Sequence, residues 1–230
     1  EQISGRAVYE KQDFNISYNT IYRAVDNGFL SKKYKQCMRF KRKYKRHKSI
    51  EKRGTIQNTT SIHERPETAN NRTEIGHWEA DTVVSGQGKS KACFATLAER
   101  KTRLYLAMKI PDRKADTMAA AIISMLSEVP SELVKTITCD RGAEFASWQT
   151  VEKELDCQVY FADPYCAWQK GTNENSNGLL REFYPKGRNL SRVSPKTLLR
   201  NLSLINNRPR KCLNFISAQD SWNLELQQIR

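Results

Sequence analysis

Long apolar runs are missing from this chain of 230 residues. None approaches the roughly 18 consecutive apolar residues that a membrane-spanning helix needs, and no leader pattern opens the chain. The cysteines (Cys37, Cys93, Cys139, Cys157, Cys166 and Cys212) form no C-x-x-C pair, and the three histidines, His47, His63 and His77, are scattered without ligand spacing. These absences argue against a zinc site and against a disulfide framework. Reduced thiols in a soluble, intracellular protein are the expectation. No serine or tyrosine stands out as a nucleophile. The first residue is Glu1 rather than Met, and the first helical pattern opens as if mid-domain, so a truncated or processed chain is expected.

Negative charge is also scarce. Against 39 Lys+Arg there are 25 Asp+Glu, a formal charge of +14. The excess is concentrated: residues 31–53 hold twelve Lys/Arg and one acid, Glu51, and so carry +11 of it. Tyr34, Phe40 and Tyr44 are interleaved among these cations. Such a stretch buries little apolar surface and is expected to be ordered only by a polyanion. Lys41, Arg42, Lys43, Lys45 and Arg46 are its densest run, and they suit phosphate contacts that give strong salt dependence without sequence specificity. A solvated basic linker is the plainer alternative. A polyanionic partner follows from the charge, nucleic acid rather than a membrane surface.

Residues 1–30 read as two short helices. The second, from Ser17 to about Asp26, ends at Asn27-Gly28, a C-cap signal. Its exposed face carries Asn19, Thr20 and Arg23, with Ile21 and Val25 facing inward. That pattern suits the recognition helix of a helix-turn-helix, whose first turn reads base edges in the major groove. A generic helical hairpin fits the same residues. Residues 54–75 are polar and aperiodic, a connector. The chain thus divides into an incomplete helix-turn-helix region (1–30), a basic linker (31–75) and a larger domain (76–230).

In that domain, 77–84, 92–98 and 103–110 are short apolar or alternating runs, an antiparallel three-strand meander. A helix with a Met118, Ala121, Ile122, Met125, Leu126 stripe follows, over about 115–128, and Pro130 stops it. A strand at 135–139, a helix over about 143–155 and a fifth strand at 157–161 come next. Then comes a helix from Gly171-Thr172, with Leu179, Leu180 and Phe183 within a turn of one another. A last helix over about 195–206 and a tail with Arg208, Arg210 and Lys211 complete the chain. The order predicts an α/β fold, a mixed five-stranded sheet flanked by helices that matches the ribonuclease-H-like core.

Three acids fall where strands or helices end on one rim of that topology. Asp81 interrupts an apolar strand, Asp140 closes KTITCD before Arg141-Gly142 turns the chain, and Glu174 opens the helix after Gly171. Three carboxylates brought together repel one another unless cations bind. Mg²⁺ prefers such oxygen ligands, and two ions ~3.5–4 Å apart suit an in-line displacement at a phosphodiester. Taken alone, the helix carrying Glu174 also reads as a surface helix whose acidic N-terminus complements its dipole. Trp78, Trp148 and Trp222 read as packing residues, His77 as a hydrogen-bonded strand residue and Cys139 as a small buried one.

The blocks GHWEADTVVSG (76–86), TCDRGAEF (138–145) and VYFADPYCAWQKGTNENSNGLLREFYPKG (159–187) resemble the signature blocks of the IS-thirty insertion-sequence transposases, within the DDE transposase and integrase superfamily. The 33 residues between Asp140 and Glu174 match the family's spacing. SIHERPE (61–67) and LINNRPRKCLNF (204–215) resemble its flanking blocks. Ala80 stands where the family usually has Gly, and ISAQDSW (216–222) replaces its Thr-Pro-x-Glu stretch. The resemblance implies that Asp81, Asp140 and Glu174 are the catalytic, metal-binding triad for two Mg²⁺, with Mn²⁺ as substitute. Glu79, Glu144 and Asp163 would then support it from nearby. Trp168, Lys170, Asn177, Arg181 and Lys186 would meet DNA. The implied activity is cleavage and strand transfer on double-stranded DNA, at terminal inverted repeats and target, by a homodimer or larger assembly in the bacterial cytoplasm, at the nucleoid. A non-catalytic DNA-binding regulator and a plain nuclease of the same fold are the alternatives.

Overall fold

The computed structural model describes residues 1–31, 33–34, 56, 58–164 and 166–229. The basic run containing Lys41, Arg42, Lys43, Lys45 and Arg46 lies outside the described residues. At the start, α1 (Gln2–Tyr9) and α2 (Tyr18–Asp26) pack through Ala7 and Val25, which are buried. Ser17 caps α2 by accepting the Thr20 amide at 3.1 Å, and Asn19, Thr20 and Arg23 are exposed. The connection, residues 10–17, is longer than the three- or four-residue turn of a compact helix-turn-helix. Ser17→Ala removes the cap at a cost of about 1 kcal/mol. Amide exchange in α2 is then expected to speed up about fivefold, with the large domain unaffected.

The polar, aperiodic residues before the large domain are not a free connector. Ser61 and Glu64 form a capping box around a short 3-10 turn, Ile62–Glu64, and α3 (Glu67–Asn71) follows. Ile62 and Ala69 are buried, and Thr60 accepts the Phe161 amide at 2.9 Å. Periodicity could not reveal this segment because it docks through single residues and capping rather than through an apolar stripe.

The sheet comprises β1 (His77–Val84), β2 (Cys93–Glu99), β3 (Tyr105–Ile110), β4 (Thr136–Cys139) and β5 (Gln158–Phe161), in the order β3-β2-β1-β4-β5. β1, β2 and β3 form the antiparallel meander, while β4 and β5 add parallel to β1 through helical crossovers, α4 (Ala115–Leu126) and α5 (Trp148–Leu155). The single helix expected over 143–155 is two pieces, a 3-10 turn at Ala143–Phe145 and then α5. Glu144 turns inward to Thr82 and Arg113 there.

Alternation along β1 sorts its residues between two cores. Trp78 and Ala80 join Cys93, Ala95, Leu97, Ile137, Val159 and the apolar stripe of α4 on one face. Ala80, fully buried, packs directly into that face. Val83, Phe94, Ala98 and Tyr105 face the other way, against α6 (Gly171–Phe183) and α7 (Pro195–Asn206). Burial on both faces explains why β2 is buried along its whole length. The expected C-terminal tail contains a further helix, α8 (Ala218–Ile229), begun by the Ser217 hydroxyl accepting the Asp220 amide at 3.0 Å. Trp222 docks α8 edge-on against Trp78, with ring centroids 5.8 Å apart. No helix among the described residues is long and apolar enough to cross a membrane.

Candidate active site

The β1–β4 register brings two acids side by side. Glu79 pairs with Thr138 across these parallel strands. Asp81 lies two residues further along β1 and Asp140 just past the end of β4, and both side chains reach the same cation, the Lys170 ammonium. Both are partly buried. The Gly142 amide donates to Asp140 Oδ1 at 2.9 Å, and Asn177 donates to Asp81 Oδ2 at 2.7 Å while accepting the Tyr105 hydroxyl at 2.5 Å.

A third residue completes this edge. Lys170 ends a 3-10 turn, Ala167–Lys170, that runs directly into α6. Its Nζ lies 3.5 Å from Asp81 Oδ1 and 3.5 Å from Asp140 Oδ2, and donates to the Ala80 carbonyl at 3.0 Å. It also lies over the Phe145 ring, 5.8 Å from the centroid. Burial alone would depress the ammonium's pKa, but the Asp81 and Asp140 carboxylates outweigh it and leave the pKa raised. Lys170, an expected DNA contact, is 7% exposed, and its charge faces the two aspartates. Asn177, another expected DNA contact, is half-buried between Asp81 and Tyr105.

Glu174 stands exposed on the first turn of α6. It shares a helix face with Asn177 and Arg181, three and seven residues on. Since Asn177 touches Asp81, that face looks onto the aspartate pair, with Glu174 one turn nearer the N-terminus of α6. Among the described residues no three of His, Cys, Asp and Glu lie close enough together to hold a metal ion. Asp81 and Asp140 meet at the Lys170 ammonium, and Glu174 lies on the first turn of the helix that follows it. The donor set suits a hard divalent ion, because two carboxylate oxygens already converge on one cationic group and neither cysteine nor histidine intervenes. Asp81 and Asp140 would hold such an ion, with Glu174 as the third acid brought by α6.

The start of α6 is pinned to β1 by Glu79. Its Oε2 accepts the Asn173 amide at 2.8 Å, and the Asn173 side chain donates back to the Glu79 carbonyl at 2.6 Å. The other carboxylate oxygen pairs with Arg100, whose Nε donates to the Ala69 carbonyl at 2.8 Å. Glu79 and Asn173 are fully buried and Arg100 is 4% exposed. Asp163 is held by Gln169 and His63, both at 2.8 Å, and this closes the loop before the 3-10 turn. Glu144 accepts Arg113 at 2.6 Å and Thr82 at 3.2 Å.

Gly142 sits where these carboxylates crowd. A Cβ there would stand 2.5 Å from Glu144 Oε2 and 2.9 Å from Asp140 Oδ1. Its φ of −69° and ψ of 141° suit any residue, so the constraint is contact alone. Gly142→Ala is expected to push the Glu144 and Asp140 carboxylates aside at a cost of about 1 kcal/mol or less, since both are side-chain ends that can turn away. Chemical denaturation of the two proteins measures it.

The remaining predicted contacts separate by exposure. Trp168 is 76% exposed and Lys186 is exposed just beyond α6. Arg181 is partly buried and donates to the carbonyls of Val84 (3.0 Å) and Tyr184 (3.4 Å), and burial lowers its pKa. Sequence reasoning placed Asn173 and Asn177 beside Glu174 at the site, but not the Asn173 tie to Glu79 or the Lys170 contact with both aspartates. The only signal was a run of small and amide side chains beside an acid, QKGTNEN, where a surface helix would carry more charge.

The chain is 34% identical over 232 residues to the transposase for insertion sequence element IS4351 of Bacteroides fragilis, covering 99% of this chain and 70% of that protein. The chain belongs to the IS-thirty family of insertion-sequence transposases. A second family member, the transposase for insertion sequence element IS1086 of Cupriavidus metallidurans, is 38% identical over 217 residues. That match takes in 92% of this chain and 63% of the relative, so this transposase-family chain spans less than two thirds of that relative's length. The integrase core domain family matches residues 71–167. Among solved structures, the catalytic core domain of BIV integrase matches with a TM-score of 0.51 at 16% identity, over 68% of this chain and 100% of that one. The fold is accordingly the ribonuclease-H-like fold of integrase cores.

Proposed function

We propose that this chain carries the catalytic centre of a DDE transposase, which cleaves DNA at the ends of an insertion sequence and joins the freed ends to target DNA. The observation that supports this most is the convergence of Asp81 and Asp140 on one cation position, beside the helix that carries Glu174. Two divalent ions, Mg²⁺ or its substitute Mn²⁺, would supply charge neutralisation at the attacking and leaving oxygens of an in-line displacement. The chain's own residues set the geometry. Asn177 fixes one oxygen of Asp81, and the Gly142 amide fixes one of Asp140. Glu79 and Asn173 hold the first turn of α6 against β1, which places Glu174. No covalent link between protein and DNA is needed.

Exposed Trp168 and Lys186 flank α6 and would meet the DNA near the cleaved phosphate, with Arg181 at the end of β1. Asn19, Thr20 and Arg23 on α2 would read the terminal inverted repeats, and the basic run Lys41, Arg42, Lys43, Lys45 and Arg46 would hold phosphates. Both element ends must be held at once, so a homodimer or larger assembly on DNA is part of the proposal. Incubating the protein with a labelled inverted repeat, a target duplex and Mg²⁺ tests it. The expected result is a nick at the repeat end followed by joined strand-transfer product. Cleavage without joining would point to a nuclease of this fold. Repeat binding with no metal-dependent cutting would point to a DNA-binding regulator.

A further inference from the structure

Lysine normally extends its ammonium to water along an apolar stem. Lys170 does the reverse: its side chain is 9% exposed, and its Nζ is equidistant, at 3.5 Å, from Asp81 and Asp140. Buried charges persist only when paired, and two adjacent carboxylates need a cation between them. The ammonium meets both demands in one place. It also stands where a divalent ion shared by the two aspartates would have to be. Mg²⁺ binds oxygens at about 2.0–2.1 Å, so ion and ammonium cannot share that position. Lys170 is further placed at the hinge between the 3-10 turn and α6, four residues before Glu174. A movement of its side chain therefore occurs at the base of the helix turn that carries the third acid.

We propose that Lys170 is an internal counter-ion: it occupies the cation position between Asp81 and Asp140 in the metal-free protein and is expelled when a divalent ion binds. This inference rests on the metal-site reading above and adds a positioning residue to it. The ammonium keeps the acidic edge folded without metal, and metal must displace a charge already in place, so the intact site binds more weakly than the bare pair of aspartates would.

Binding of Mn²⁺ to the full chain, followed by the electron paramagnetic resonance signal of the free ion, tests the inference together with the melting temperature of the metal-free protein. Lys170→Met is expected to bind Mn²⁺ about tenfold tighter or more, the scale on which removing one neighbouring positive charge acts. Metal-free Lys170→Met is expected to melt below the wild type, with Mn²⁺ closing the gap. Lys170→Arg retains the charge and should fall near the wild type in both measurements. Lys170→Gln serves as a second neutral variant that keeps a donor for the Ala80 carbonyl. Neutral variants that fold only with Mn²⁺ would support the counter-ion role. Unchanged or weaker Mn²⁺ binding, or failure to fold even with Mn²⁺, would overturn it and leave Lys170 a packing residue. Should Asp81→Asn/Asp140→Asn bind Mn²⁺ as the wild type does, the metal-site reading itself fails, whatever Lys170 does.

Discussion

Asp140→Asn is expected to lose metal-dependent strand cleavage by about 10³-fold or more, since a metal ligand supports several kcal/mol of transition-state stabilisation and each 1.36 kcal/mol is tenfold in rate. The substitution is nearly isosteric. The retained carbonyl oxygen still accepts the Gly142 amide, so the loop at Arg141-Gly142 keeps its shape. What changes is charge: the Lys170 ammonium would face one carboxylate instead of two. Binding to the inverted repeat, assigned to α2 and the basic run, should change little. A gel-shift titration beside a cleavage assay separates the two effects, and a variant that still cuts would remove Asp140 from the chemistry.

Glu79→Ala is the second large effect, and it acts through the fold. Removing one partner of a buried ion pair costs roughly 3–5 kcal/mol, because the other charge is left uncompensated. Here Arg100 would be stranded at 4% exposure, and the Asn173 amide would lose its acceptor at the start of α6. For a chain of this size that corresponds to a melting-temperature drop of roughly 6–20 °C. Glu79→Gln keeps an oxygen for the Asn173 amide but still strands the Arg100 charge, so it should be destabilised as well. Cleavage measured well below both melting temperatures should still fall in Glu79→Ala, because the turn bearing Glu174 is no longer tied to β1. Full activity in folded Glu79→Ala would show that α6 needs no such tie.

The strand pattern was legible because burial enforces it. Residues 77–84 were read to their ends, since alternation along β1 serves two different cores. The helix at Pro195–Asn206 was legible from its cap: Ser194 accepts the Thr197 amide, and proline opens the first turn. Other segments were obscured where local pattern yields to a long-range partner. Residues 143–155 carry a helical pattern, but Glu144 answers to Arg113 and Thr82, so only Trp148–Leu155 is α-helical. Ser217 and Trp222 create α8 through one cap and one ring contact, neither of which gives periodicity.

At the candidate site the limits were different. A charge interrupting an apolar strand marks Asp81, and an acid at the tip of a short apolar strand, just before Arg141-Gly142, marks Asp140. Glu174 follows from spacing and resemblance, and it opens α6 one turn before Asn177, which touches Asp81. The burial of Lys170 had no sequence signal: a lysine beside glycine in a polar loop ordinarily reaches solvent, and only the tertiary fold brings two carboxylates to it.

The proposed chemistry requires Asp81 and Asp140 to hold a divalent ion. The most direct measurement is anomalous scattering at the manganese edge from crystals grown with Mn²⁺. The account predicts a peak between the two aspartates, within coordinating distance of both, with the Lys170 ammonium moved away and Glu174 drawn in. Manganese bound elsewhere, with Lys170 still seated between the aspartates, would contradict it.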